Sequence, residues 1–555
     1  MNKKVCSFPI LFALLALLIG TCAVVFPASA QAAPTSIGSI TVSGTVASSY
    51  DAYQIFDANV VDGDSDAKIA TDLAWASDAV RDAALPVLHS AGMPNSQATA
   101  QEAAEWLTTD SHLTSALSAQ LARSLQNSGA VSMALNAGGA AELSCGYWLI
   151  VADDAIAQGE AGTAPIMALV GGSAVTVKPK AATPKVQKHV LEDSTAAWQK
   201  AADATVADDL YWRLSATVPA GLTAYDTYTV RFVDTMSAGL DPSKAAASMR
   251  VYVAAGADGG FDAVSAGKDG RAGTEPAKGW TDITAQCATK VAADGKTFTV
   301  RTGDLIAALG GADAFTAGAR VVAVYNAPLT SACNHGIAKG NPNEVYLRYP
   351  RSPFADQSGD AGFTRTPSDD ACAYTWDLAL TKRGSDGDKP LAGAVLSIAD
   401  DRGRTLAADG TWGAEGKATV TTGEDGRVTV SGVDSGKLEV RELKAPKGYT
   451  AFEGTRSVTV KAEGLDVDQV AAAKPKLTIT AESPLRADSA DGSTGSLEAS
   501  LINTPTGTPP SITTGGFMPS TGDMAMYAAA AAAVAGAALI VVALLVKRGG
   551  GSHKE

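Results

Sequence analysis

Three residues in the last third of this 555-residue chain have the types needed to exchange one amide for another. Lys382 closes an early strand-like run, Asp377-Leu-Ala-Leu-Thr-Lys382. Asn503 closes the last such run, Leu501-Ile-Asn503. Glu442 lies between them in Leu438-Glu-Val-Arg-Glu-Leu-Lys-Ala-Pro-Lys-Gly-Tyr449. A lysine at its ordinary pKa is a cation and cannot attack a carbonyl. Burial among apolar side chains favours the neutral amine, and the same burial keeps a glutamate protonated. Such a glutamate can polarise a carboxamide and shuttle protons. Held in contact, the amine attacks at high effective molarity, ammonia leaves and a cross-link remains.

The Glu442 segment resembles the E-box of Gram-positive pilins, and its surroundings are similar to the Lys–Asn isopeptide domains related to collagen-adhesin B repeats. That resemblance implies a bond between Lys382 and Asn503 assisted by Glu442. Pro184-Lys-Val-Gln-Lys-His-Val190 and Arg231-Phe-Val-Asp-Thr-Met-Ser237 resemble two segments of the middle domain of shaft pilins. There Lys188 is implied as the amine and Asp234 as the assisting acid. Gly340-Asn-Pro-Asn-Glu-Val-Tyr-Leu-Arg-Tyr349 fits the family's closing strand. The family's acceptor asparagine follows that strand's tyrosine, but here Pro350-Arg351-Ser352-Pro353 follows. A guanidinium supplies no carboxamide. Either the middle bond is absent, leaving a Lys188–Asp234 ion pair, or Asn341 or Asn343 substitutes.

Two further segments bear on assembly. Val175-Thr-Val-Lys-Pro-Lys180 resembles the pilin motif Val-x-Val-Tyr-Pro-Lys, with Lys178 in place of the tyrosine. Phe517-Met-Pro-Ser-Thr-Gly-Asp523 resembles the Leu-Pro-x-Thr-Gly sorting signal of wall-anchored proteins, with Met518 for leucine. Methionine is similar in volume and more flexible. The resemblance implies that a sortase recognises Met518, Pro519, Thr521 and Gly522, cuts after Thr521, and passes its acyl group to Lys180 of another copy. Lys178 and Lys185 compete for that role.

Both ends carry address signals. Lys3 and Lys4, an apolar run from Phe8 to Phe26 and the small-residue site Ala28-Ser-Ala30 read as a secretory signal peptide. Ala525–Val546 would rise ~33 Å as a helix, enough to span hydrocarbon, and Lys547 and Arg548 follow at once. Positive residues stay inside, so the body is expected outside.

The elements that must hold these residues follow from periodicity and punctuation. Residues 1–30 are the signal peptide and 31–178 an N-terminal domain. The latter is mixed α+β, with helical spacing over Ala67–Gln126 interrupted at Pro86 and Met93-Pro-Asn95. Residues 179–370 and 371–504 each carry many short strands separated by turn residues. They predict tandem immunoglobulin-like β-sandwiches, which the resemblance implies are collagen-adhesin-like. In the middle domain the last long strand reads as Val345–Tyr349. Residues 505–523 form a linker with the sorting motif, 524–546 a transmembrane helix and 547–555 a basic cytoplasmic tail.

Composition excludes other classes. Net charge is −14 and no long basic block occurs, which argues against nucleic-acid binding. Five histidines lack the short spacing of a metal pair. Asp62-Gly-Asp-Ser-Asp66 imitates a calcium loop, but Ala67 and Leu73 stand where glycine and glutamate are needed. No hydrolase or nucleotide-binding motif is present. Outside the cell disulfides are allowed, and Cys287–Cys333 is the favoured pairing, with Cys145 a buried free thiol.

The chain is thus expected to be mainly β, without cofactor or metal, and not an enzyme beyond its own amide formation. The resemblance implies the structural major subunit of a covalent cell-surface pilus that supports adhesion. Its partners would be a pilin-specific and a housekeeping sortase, copies of itself, ancillary tip and base pilins, and peptidoglycan. It would touch the membrane only through the C-terminal helix before sorting. The alternative is a monomeric wall-anchored adhesin or ancillary pilin that binds a host ligand.

Overall fold

The computed structural model describes residues 37–507 apart from 45–46, 48, 65–66, 110, 154–162, 180–182, 219–223, 257–278, 312–317, 354–356 and 414–416. The expected signal peptide, Lys180, Met518, Pro519, Thr521, Gly522 and the C-terminal apolar run lie outside the described residues. Among those described, no helix is long and apolar enough to cross a membrane. The described residues are mainly β and form six sheets.

The first two sheets belong to residues 37–177. One has three strands, with Ile37–Val42 between Ala140–Ser144 and Val175–Val177. The other is built on the long strand Ser49–Asp62, flanked by Lys68–Trp75 and Gly146–Ala152. Helices Asp78–Ser90, Ala100–Thr108 and Ser115–Ser128 pack their apolar faces on the second sheet. The helical insertion begins later than its spacing predicts. Lys68–Trp75 is a strand, antiparallel to Ser49–Asp62 across the Asp62 turn. Asp62 closes that turn by pairing with Lys68 and accepting from the Ser173 backbone N–H. Pro86 does not interrupt its helix. It sits on the exposed face, where water can satisfy the carbonyl that loses its partner. Met93–Asn95 does separate the first two helices.

Residues 185–374 form two sheets facing one core. Lys185–Glu192, Tyr211–Val218, Ala319–Asn326 and Arg250–Ala255 are consecutive in the first. Asp369–Tyr374, Asn341–Pro350, Arg231–Met236 and Thr297–Arg301 are consecutive in the second. Trp212, Phe232, Phe298, Tyr325, Leu347 and Tyr349 fill the space between. The strand expected at Val345–Tyr349 begins at Asn341. Pro342 reads locally as a strand breaker, yet it pairs opposite Cys372 within the ladder.

The third pair of sheets covers residues 376–505. Trp376–Gly384 runs parallel to Ser496–Pro505, so the first and last strands of this unit are neighbours. Gly436–Lys444 belongs to the opposing sheet, between Val395–Ala399 and Thr455–Glu463. Its core includes Trp376, Leu380, Ile398, Val440, Val458 and Leu501. Strand Asp369–Tyr374 leads almost directly into Trp376–Gly384, and backbone bonds lock the two units together. Gly336 N–H donates to Thr375 O at 3.1 Å and Ile337 N–H to Gly492 O at 3.1 Å. Gly336 has φ +77°, and a Cβ there would lie 2.5 Å from Gly495 N.

Candidate functional site

Lys382, Glu442 and Asn503 meet inside the third unit. Lys382 and Asn503 come from the two parallel neighbours, in register Lys382↔Leu501 and Gly384↔Asn503. Residues two apart on a strand share a face, so both side chains enter the core diagonally to one another. Glu442 enters from the opposite sheet, on Gly436–Lys444. All three are buried, Lys382 completely. Lys382 Nζ contacts the Asn503 carboxamide oxygen and lies 3.2 Å from Glu442 Oε1. Asn503 Nδ2 donates to both Glu442 oxygens, at 2.9 and 3.1 Å. Glu442 Oε2 also accepts from Phe452 N–H at 3.1 Å. Burial pushes the Lys382 ammonium down to about 8, against the opposing pull of Glu442. The carboxyl therefore touches both the amine that must lose a proton and the nitrogen that must leave.

A second buried set lies in the middle unit. Lys188 is on Lys185–Glu192, while Asp234 and Asn343 are on neighbouring strands of the facing sheet, with Asn343 opposite Met236. Lys188 Nζ contacts Asp234 Oδ2. The Tyr325 hydroxyl lies 2.9 Å from Lys188 Nζ, donates to Asp234 Oδ2 at 2.8 Å, and accepts from Asn343 Nδ2 at 3.0 Å. Lys188, Asp234 and Asn343 are each 0% exposed. Burial pushes Lys188 down to about 8, opposed by Asp234, and pushes Asp234 up. The Asn343 carboxamide oxygen has no hydrogen-bond partner.

Asn341, two residues earlier, is committed elsewhere. Its Oδ1 accepts from Asn334 N–H at 2.9 Å, and its Nδ2 donates to Asn334 O at 2.8 Å and Ala373 O at 3.2 Å. Arg351 follows the end of the strand. One residue of this set was missed in the sequence: Tyr325 gives no signal of its own within a strand buried on both faces. Asn343 is one of the two substitutes the sequence offers, and the inward alternation of Val345, Leu347 and Tyr349 extends back to it.

The remaining residues are dispersed. Lys178 is exposed just after Val175–Val177, and Lys185 is exposed at the start of its strand. The Cys287–Cys333 pairing is not formed, and no disulfide joins any of the four described cysteines. Cys287 Sγ points to Ile283 O at 3.3 Å, whereas Cys333 Sγ lies against His335. Each sulfur is turned to its own local turn. Among the described residues no group of three His, Cys, Asp or Glu side chains is arranged for a metal. A cleft of about 670 Å³ opens between the middle and third units, with Asp193, Asp208, Arg402 and Arg404 in its lining. Those arginines and acids are mutually paired.

Residues 377–474 match the family model described as SpaA: Prealbumin-like fold domain. A curated relative is the trypsin-resistant surface T6 protein of Streptococcus pyogenes serotype M6. It is 28% identical over 129 residues, so the match spans 22% of this chain and 22% of that relative. Among solved structures, the T6 backbone pilin of serotype M6 Streptococcus pyogenes superposes with TM-score 0.46 at 17% identity, over 85% of this chain and 98% of that one. The full-length major pilin SpaD from Corynebacterium diphtheriae gives TM-score 0.42 at 15% identity, over 84% and 97%.

Proposed function

We propose that this chain, which carries a SpaA-type prealbumin-like domain at residues 377–474, is the shaft subunit of a covalent pilus on a Gram-positive cell surface. The observation that carries the reading is the buried Lys382–Glu442–Asn503 contact, which joins the first and last strands of the third unit with a carboxyl from its facing sheet.

The chemistry follows from those contacts. Neutral Lys382 Nζ adds to the Asn503 carboxamide carbon. Its proton passes to Glu442 Oε1, which is within reach. Glu442 returns a proton to Nδ2, the atom it already holds, and ammonia departs. The C–N bond to Nδ2 breaks and the C–N bond to Nζ forms, so one amide replaces another with no redox change. Lys382 and Asn503 are 121 positions apart. Closing a loop of that length removes on the order of 5 kcal/mol of unfolded-state entropy.

In the middle unit we assign the acceptor to Asn343. It shares the Tyr325 hydroxyl with Lys188 and Asp234, and its oxygen is free for polarisation. Asp234, raised by burial, would take the part that Glu442 takes in the third unit. Assembly would then join Thr521 of one copy to Lys180 of the next by a sortase, with the wall as final anchor.

Two measurements test these levels. The intact mass of the exported chain should fall short of its sequence mass by two ammonias. Glu442→Ala should restore one and Asn343→Ala the other; a full-length mass with no deficit refutes both bonds. A blot of wall extracts should show a high-mass ladder that collapses in Lys180→Ala. A ladder that persists moves the linkage to Lys178 or Lys185, and a single monomer band beside an active sortase favours the adhesin reading.

A further inference from the structure

One cluster of reactive side chains takes no part in the amide chemistry. Cys333 Sγ lies 3.5 Å from His335 Nε2. The other ring nitrogen, Nδ1, lies 2.8 Å from Asp377 Oδ1. Cys333 and His335 belong to the loop after Ala319–Asn326 in the middle unit, whereas Asp377 is on the first strand of the third unit. The three line up only because the two units are docked.

The loop is held at every step. Cys333 N–H donates to Thr330 O at 3.0 Å, and Thr330 N–H to Gly239 O at 2.8 Å. Between Cys333 and His335, Asn334 is clamped on both backbone faces by Asn341. Gly239 leaves the room this needs, since a Cβ there would lie 2.6 Å from Cys333 Cα. Asp377 is fixed in turn, accepting from Ser431 Oγ at 2.5 Å and Gly432 N–H at 3.1 Å. An imidazole between a thiol and an oriented carboxylate is the arrangement that activates a nucleophile.

We propose that Cys333 is a base-assisted nucleophilic thiol, modified by thiol–disulfide exchange with small disulfides outside the cell. Burial and the Asp377 charge push the thiol up to about 11, so the resting form is protonated and the base is required. His335 Nε2 takes the thiol proton as Sγ attacks one sulfur of the disulfide. The S–S bond of the reagent breaks, a Cys333 mixed disulfide forms, and the leaving thiolate recovers the proton from the imidazolium. Asp377 is a positioning residue that holds the ring in the tautomer with Nε2 unprotonated. The exchange needs neither oxyanion donors nor a substrate chamber. The adduct would sit on the joint between two units.

The chain carries its own controls. Cys287 is partly exposed like Cys333, but its sulfur faces a backbone carbonyl and not a base. Cys145 and Cys372 are 4% and 2% exposed. The intact chain is treated with cystine and the adducts are located by peptide mass. Cys333 is expected to react at least about tenfold faster than Cys287 at neutral pH. Burial pushes both thiols up to about 11, so a difference in rate at neutral pH reports the neighbouring base and not the thiol. His335→Gln, which keeps a hydrogen-bonding amide but no base, should bring Cys333 to the Cys287 rate. Asp377→Asn should lower the rate less. Cys145 and Cys372 remain unmodified in any variant that folds. Equal rates at Cys333 and Cys287 in the native chain, or a His335→Gln rate unchanged, overturns the proposal.

Discussion

At the scale of single residues, the buried lysines set the stakes. A lysine wholly inside a domain is strongly destabilising when its partner is removed. Glu442→Ala should therefore cost twice, by preventing the cross-link and by stranding Lys382. The third unit's melting temperature is expected to fall by more than about 10 °C, read by calorimetry on the exported chain; an unchanged midpoint would mean that Glu442 is not the assisting group. Tyr325→Phe isolates the hydroxyl shared by Lys188, Asp234 and Asn343. It keeps the ring that packs on Phe298 and should leave a fraction of molecules heavier by one ammonia. Complete bond formation in that variant would make Tyr325 a spectator. The two sets differ in legibility for a physical reason. Lys382, Glu442 and Asn503 each end or interrupt an apolar alternation, so they stand out locally. Asn343 does not, because Pro342 beside it mimics the end of a strand, and the ladders to Arg231–Met236 and Asp369–Tyr374 show otherwise.

At the scale of elements, the same contest between local signal and tertiary context recurs. Lys68–Trp75 carries a helical spacing, yet it folds as a strand because Ser49–Asp62 offers its edge. Helix propensity differs by tenths of a kcal/mol per residue, less than one ladder of cross-strand pairs supplies. Pro86 inside Asp78–Ser90 is the converse case, a local cost outweighed by Val80, Ala84, Leu85 and Leu88 packed in the core. Pro86→Ala should restore a backbone bond to Asp82 and stabilise the first unit by about 2 kcal/mol, measured by denaturant unfolding. A loss of stability would show that the proline fits its site better than the helix rule allows. Gly239→Ala should do the opposite. Its methyl would lie 2.3 Å from Asn341 Oδ1, forcing apart the loop that carries Cys333. Tyr211–Val218, buried on both faces through its middle, and Thr297–Arg301, buried on one face, are strands without an intervening proline.

At the scale of the whole molecule, the joint between the middle and third units concentrates acid groups. Asp203 Oδ2 accepts from Trp376 Nε1 at 2.6 Å and from Ser435 Oγ and N–H. Burial and Asp203 push Glu192 up to about 7, and burial with Asp203, Asp193 and Glu192 pushes Asp434 well above the usual carboxylate range. A raised acid contributes stability that is present below its unfolded pKa and is lost as pH rises through the folded one. The joint should therefore weaken from about pH 4.5 towards pH 7 and above. His189, held down to about 4 by burial, acts in the opposite sense as pH falls from its unfolded value. Comparing Glu192→Gln with the native chain isolates the carboxylate: between pH 5 and 7.5 the native midpoint should drop more steeply than the variant's, whose remaining slope belongs to Asp434. Parallel curves would remove Glu192 from the account. In the proposed amides Lys188 and Lys382 would no longer titrate and would not confuse the comparison. A different consequence follows from the parallel pairing of Trp376–Gly384 with Ser496–Pro505. In the proposed fibre a pull would enter the third unit at Trp376 and leave beyond Pro505, at the opposite end of the same pair. With Lys382 tied to Asn503 as proposed, tension would climb one strand and step across at its top, a covered distance of about 30 Å at the rise of a β-strand. Everything from Arg383 to Ile502 would become a closed ring beside the taut line. Melting that ring would cost the domain its shape and add no length to the cable.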